Sequence, residues 1–162
     1  MAESKIQNFN HLKIHSQFSI CEGAIKIDDL KELAKEKKIK SLGLCDTSNL
    51  CGALEFAEKI SKSGTQPIIG TQINFQFGDT IGLIPLFALS EVGYKRIIEL
   101  SSLSYLSNDG TAEPHLNFEE LIKKNDGVAV FSGTINGLIG QLFNKGKFSD
   151  IDELYSKLKS AY

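Results

Sequence analysis

The residues best placed to do chemistry near the start of the chain are His11, Lys13 and His15, in the run H-L-K-I-H. In an extended chain, side chains two apart share a face, so all three point the same way. Two histidines spaced in this way could hold one metal ion between them. A protonated lysine in one of the positions cannot, because an ammonium has no lone pair to give. His11 and His15 lie about 13 Å apart along a strand rising roughly 3.3 Å per residue, too far to share an ion. A single histidine at a strand end more often serves as a hydrogen-bonded structural residue. The second candidate is Asp46 in C-D-T-S-N-L, at the end of an apolar run, where a carboxylate acts as a helix cap or as a site residue. The third is the loop S-G-T-I-N-G, Ser132 to Gly137, whose composition suits a turn and could also receive an anion. Neither G-x-x-x-x-G-K-[ST] nor G-x-G-x-x-G occurs to cradle a phosphate, and no G-x-S-x-G marks a hydrolase nucleophile. Residue types alone give a possible site with too few ligands.

The elements that must position these residues follow from periodicity and punctuation. Phe9 to His15 reads as a strand, with Leu12 and Ile14 alternating with polar neighbours. A helix is expected from Asp28, as N-cap, to Lys38, and Ser41 to Asp46 as a short strand. Ser48 is expected to cap the next helix, with Ala53, Leu54, Ala57 and Ile60 on its face and Gly64 after its end. Pro67 opens a strand P-I-I-G-T-Q-I-N-F, and Thr80 to Leu89 forms another across the turn signal Gly78-Asp79. Ser90 and Asn117 are expected to cap helices, and V-A-V-F-S after Gly127 is a strand. Two helical segments close the chain, the last starting at Ser149 with Asp152 three residues on. Alternating strands and helices mean an α/β fold with a largely parallel sheet, whose chemistry gathers at strand ends. Here those ends are His15, Asp46, Gln72 and Ser132. A closed eight-unit barrel takes about 250 residues, so this chain is too short to complete one.

Composition narrows the function classes. The 162 residues are 41% hydrophobic and 23% charged, with 18 basic and 20 acidic side chains, which excludes disorder. The longest apolar stretch, Ile81 to Leu89, is broken by Gly82 and Pro85 and is half of the roughly 18 residues that a spanning helix needs. The first residues, with Glu3 and no apolar run, do not read as a signal peptide. A pI near 5.9 argues against a domain that binds nucleic acid on its own. Cys21, Cys45 and Cys51 form no C-x-x-C pair and read as small, mostly buried hydrophobes of a reducing compartment, so cytoplasm is expected.

Three longer stretches carry a resemblance: F-N-H-L-K-I-H-S-Q-F-S-I-C-E-G-A-I-K-I-D-D-L, L-G-L-C-D-T-S-N-L-C-G-A-L-E-F and P-I-I-G-T-Q-I-N-F. With S-E-V-G-Y-K-R-I-I-E-L-S-S-L-S-Y-L and V-A-V-F-S-G, they resemble the amino-terminal PHP (polymerase and histidinol phosphatase) domain of bacterial replicative DNA polymerase III alpha subunits. The likeness runs from about Phe9 to Gly140. It implies an incomplete, distorted (β/α) barrel, with residues 1–162 the amino-terminal part of the domain, truncated before its closing strands. Active members of that superfamily hold a cluster of metal ions with His, Asp, Glu and Cys. Carried over residue by residue, the first H-x-H falls on Lys13 and His15, and the following D-G on Glu22-Gly23. The family's D-H falls on Asp46-Thr47, its I-I-G-x-E glutamate on Gln72, a later histidine on Leu83 and the S-G-C cysteine on Thr134. A last Asp and His would lie beyond Tyr162. His15, Glu22 and Asp46 remain as plausible ligands.

The resemblance therefore implies a degenerate metal site. No cofactor is expected, or at most one weakly held zinc, manganese or magnesium ion, and no residue of this chain is catalytic. The implied function is a non-catalytic scaffold that braces the polymerase core and docks the proofreading exonuclease. Its partners are the remainder of the alpha chain and the proofreading subunit, with DNA met only through the parent polymerase and no membrane. DNA-directed DNA polymerase (nucleotidyltransferase) activity in DNA replication would belong to that parent chain. The alternative is a metal-dependent phosphoesterase or 3′–5′ exonuclease of the PHP superfamily. In either case Lys13 is expected to bring its ammonium to Glu22 or Asp46 in the vacated metal position.

Overall fold

Residues 9–107, 110, 113–123 and 125–162 are described by the computed structural model. Residues 9–15 run extended along β1 (Ser41–Thr47), to which the backbone of Gly43 donates from the sheet to His11 O (2.7 Å) and that of Cys45 to Ile14 O (2.8 Å). The segment makes one bridge, Ile14 to Leu44, and not the full strand expected for Phe9 to His15. It lies on the rim of the sheet and turns away at once at Ser16, so no longer ladder can form.

Helix α1 (Ile27–Glu36) buries Ile27, Leu30 and Ala34, at i, i+3 and i+7, on one face. It starts one residue earlier than expected because Ile27 is wholly buried, and Asp28 therefore sits inside the first turn and not at the cap. There Asp28 pairs with Lys59 Nζ (2.6 Å) on α2 (Ala53–Lys62). Ser48 does not cap α2 either: it takes a left-handed backbone (φ 56°), and the N-cap position falls on Gly52. Asn49 organises the intervening turn, its Oδ1 accepting from the Cys51 backbone at 3.0 Å.

Strand β2 (Gln66–Phe77) turns through Gly78-Asp79 into β3 (Thr80–Ala88), and Ser90 then caps α3 (Glu91–Leu106) by accepting from Gly93 N. β4 (Leu116–Asn117) leads into α4 (Phe118–Ile122), which Asn117 caps as expected, and β5 (Val128–Val130) follows. α5 (Leu138–Asn144) and α6 (Phe148–Ala161) come last. Ser149 lies within the first turn of α6 and does not cap it, because Phe148 already enters the helix, edge-on to Phe143.

The sheet order is β1-β2-β3-β5, with β4 beside the far half of β2, and the sheet is not closed among the described residues. β1–β2 and β2–β4 are parallel, as crossover connections require, whereas β2–β3 and β3–β5 are antiparallel. The two-residue turn at Gly78-Asp79 accounts for the first reversal, since a hairpin cannot join parallel strands. The fold is thus the expected α/β class with an open sheet, but that sheet is mixed and not largely parallel as expected, because the hairpin into β3 and the return into β5 reverse the chain.

Side chains alternate across each strand, and this divides the fold into two environments. Leu42 and Leu44 join Phe56 and Ile60 under α1 and α2, while Ile73, Phe75, Ile84 and Leu86 pack with residues of α3 to α6. The alternate positions Gly43, Cys45, Thr47, Gln72 and Leu83 face the other way. A Cβ on Gly43 would lie 2.3 Å from Leu12 O, so only glycine lets the 9–15 segment approach so closely. Gly43→Ala is expected to destabilise the protein by about 2 kcal/mol, as overpacking against backbone does, with the midpoint of urea denaturation as the measurement.

Candidate functional site

A cavity of about 300 Å³ opens on the inner face, at the ends of the strands. Lys13, His15, Glu22, Gln72, Leu83 and Thr134 line it, so six of the eight positions singled out by the resemblance converge on one space. Parallel pairing sets Thr47 beside Gln72, and Gln72 Nε2 donates to Thr47 Oγ1 at 2.8 Å. Thr47 Oγ1 in turn donates to Glu22 Oε2. His15 Nδ1 stands 3.9 Å from the same carboxylate oxygen, beyond hydrogen-bond range. Two buried atoms of the lining have no hydrogen-bond partner, His15 Nδ1 and Gln72 Oε1.

Asp46 is brought close but faces elsewhere. It is adjacent to Thr47 on a strand, so the two side chains take opposite faces, and Thr47 has the cavity side. The Asp46 carboxylate, 1% exposed, accepts from Ser16 N (2.6 Å), Ser16 Oγ (2.8 Å) and Ser19 Oγ (2.7 Å). Those three donors satisfy it without Lys13. The expected contact of Lys13 with Asp46 or Glu22 does not form: among the described residues Lys13 makes no salt bridge, and its side chain stands exposed at the rim.

Residue identity shapes the surrounding loops. The turn from Ser16 to Gly23 is tight, with Ser19 O accepting from both Glu22 N (3.0 Å) and Gly23 N (2.9 Å), and it carries Glu22 to the cavity. Gly23 lies against Ser16 O, where a Cβ would fall at 2.0 Å. Asn49 Nδ2 ties this turn to the end of β1 by donating to Phe18 O (3.0 Å) and Thr47 O (2.9 Å). From the far side comes the 132–137 loop, where Gly137 bridges Leu83 and the Gly137 N–H donates to Thr134 O (2.8 Å). Asn136 of that loop also lines the cavity. Ser16, Ser19 and Asn49 are site residues that the sequence reading does not single out, whereas Asn136 belongs to the loop it names. For the serines, the one sequence signal was a pair of hydroxyls three apart in a short polar turn.

The cysteines divide. Cys45 is wholly buried, as expected, and burial pushes its thiol up to about 12, which the Lys13 charge offsets only in part. Cys21 and Cys51 are exposed, contrary to the expectation, because each sits in a turn that leads away from the sheet, Cys21 with a left-handed backbone (φ 66°).

Residues 11–162 match the PHP domain family. The chain belongs to that family. This PHP domain is 33% identical over 170 residues to DNA polymerase III subunit alpha of Caulobacter vibrioides, a match covering 100% of the chain and 15% of that protein. The same subunit of Rickettsia felis is 37% identical over 134 residues (82% of this chain, 11% of the relative), and that of Escherichia coli 30% over 148 (90% and 13%). The chain thus spans 11–15% of the length of these relatives. A solved structure from Bifidobacterium adolescentis, assigned as a metal-dependent phosphoesterase, aligns at 16% identity and a TM-score of 0.48, over 91% of this chain and 54% of that one.

Two outcomes follow from this geometry. Asp46→Ala removes the acceptor of three buried donors and is expected to cost about 3 kcal/mol, measured by chemical denaturation. Thiol labelling of the native protein at pH 8 should modify Cys21 and Cys51 within minutes and spare Cys45 until the chain is unfolded.

Proposed function

We propose that this PHP domain is the amino-terminal part of a DNA polymerase III alpha subunit and serves there as a non-catalytic scaffold. It would brace the polymerase core of its own longer chain and dock the proofreading exonuclease, in the cytoplasm. The similarity to alpha subunits along the whole chain supports the parent. No helix among the described residues is long and apolar enough to cross a membrane.

The observation that carries the non-catalytic reading is the donor set of the cavity. Hydrolysis on a metal cluster needs anionic and imidazole ligands that hold the attacking and the leaving oxygen together. Here Lys13 contributes a cation, Leu83 a hydrocarbon wall, and Thr134 and Gln72 neutral oxygens that bind divalent ions weakly. Asp46 is committed to Ser16 and Ser19, and Glu22 to Thr47. Such a set does not fit a cluster of two or three ions. One observation favours the alternative of a metal-dependent phosphoesterase or exonuclease: His15 Nδ1 is without a partner and faces the cavity beside Glu22. Together they offer two ligands, enough for one loosely held ion.

Elemental analysis of dialysed protein is expected to find well under one equivalent of zinc, manganese or iron, with phosphatase and 3′–5′ exonuclease rates at background. Two or more equivalents that survive dialysis, with turnover, would overturn the scaffold in favour of the enzyme. Docking is tested separately, by calorimetric titration of the alpha chain that carries this domain with the proofreading subunit.

A further inference from the structure

We propose that the ammonium of Lys13 is the resident cation of this cavity, hydrogen-bonding Gln72 Oε1 beside His15 and Glu22 and excluding divalent ions. The inference deepens the scaffold reading and rests on it.

The argument begins with the direction of one hydrogen-bond chain. An ionised carboxylate only accepts, so Thr47 Oγ1 must give its proton to Glu22 Oε2. The Thr47 oxygen is then left with lone pairs, and the Gln72 group that meets it at 2.8 Å must be the NH2 end. Glu22 thereby fixes the Gln72 amide with its oxygen turned to the cavity. That oxygen is buried in a residue only 2% exposed and has no donor. A buried carbonyl without a partner is costly, so the cavity calls for a donor.

His15 Nδ1 is a second buried atom of this lining without a partner, and the Glu22 carboxylate, 3.9 Å from it, adds a negative charge. Gln72 Oε1 and the Glu22 carboxylate both accept. The complementary occupant has several N–H donors, no lone pair and a positive charge, which describes a primary ammonium. Lys13 lines the same cavity and lies two residues from His15 on one extended face. Among the described residues it has no salt bridge to hold it elsewhere. Asp46 is already satisfied and faces away from the cavity, so the buried acceptor there without a donor is Gln72 Oε1. A divalent ion entering the space would meet that charge within a few ångströms.

Two measurements on the 162-residue protein test this. In wild-type protein labelled with 15N-lysine, the Lys13 Nζ protons should exchange with water distinctly more slowly than those of surface lysines such as Lys35. They should also show contacts to the Gln72 side-chain amide or the His15 ring. In Lys13→Met, which keeps the stem and removes the charge, Mn2+ followed by calorimetry should bind at least about tenfold more tightly than in wild type, as loss of a nearby like charge allows. Lys13 protons exchanging as fast as surface lysines, or unchanged Mn2+ affinity in folded Lys13→Met, would overturn the proposal. Should the variant not fold, the wild-type exchange decides alone. Wild-type protein that already holds two or more ions would instead sink the scaffold reading, so the two failures are distinct.

Discussion

Asp46 places a carboxylate where water barely reaches, and a buried charge persists only if donors surround it. Three donors do, all from the turn that follows the first extended segment, and their convergence fixes where that turn can lie. The consequences spread outward from this contact. Once Ser16 and Ser19 are pinned to the end of β1, the chain between them and Gly23 has little choice of path, and Glu22 arrives at the cavity. The Thr47 backbone joins the same knot by donating to Ser19 Oγ (3.1 Å), while the Thr47 side chain reaches the opposite way to Glu22. One residue of the strand thus anchors the loop, and the next reads out its product. The carboxylate that the family resemblance suggests as a ligand has become the fastener of the site.

Much of this was legible in the residues. The hairpin at Gly78-Asp79, the caps at Ser90 and Asn117 and the stop at Gly64 rest on local backbone preference, and all appear where residue chemistry puts them. Positions far apart in the chain, such as His15, Gln72 and Thr134, could be grouped only through family resemblance, because periodicity carries no information on which strand ends meet. What escaped prediction was decided by competition between neighbours. Asp28 and Ser149 are good cap residues, but Ile27 and Phe148 just before them enter the helices. Ser48 is displaced from its capping role because the chain must reverse through a left-handed residue after β1. The Lys13 contact was misdirected for a similar reason: no rule of spacing reveals that two serines have already satisfied Asp46.

The character of the cavity is set by a few of its side chains. Gln72 and Thr134 bring neutral polar groups to its walls, and Glu22 a carboxylate. With a lysine at the rim, they make a surface whose demand a single ammonium meets. Leu83 adds an apolar wall, giving one side of the space no polar role.

The close approach of residues 9–15 to β1 has a consequence in time. Ser16 and Asp46 meet across 30 positions of chain, and Gln72 reaches Thr47 across 25. The β2–β3 hairpin closes over two residues. Loop-closure entropy therefore favours the hairpin early and the Asp46 knot late in assembly, with the 132–137 loop docking on Leu83 across a longer span still. Elements joined late by a handful of polar contacts are also among the first to open in the native state. The larger core around Ile73, Phe75 and Leu86 can stay intact while the amino-terminal segment, with Ile14 and Phe18, lifts from the smaller one, and the cavity would then vanish before the fold does.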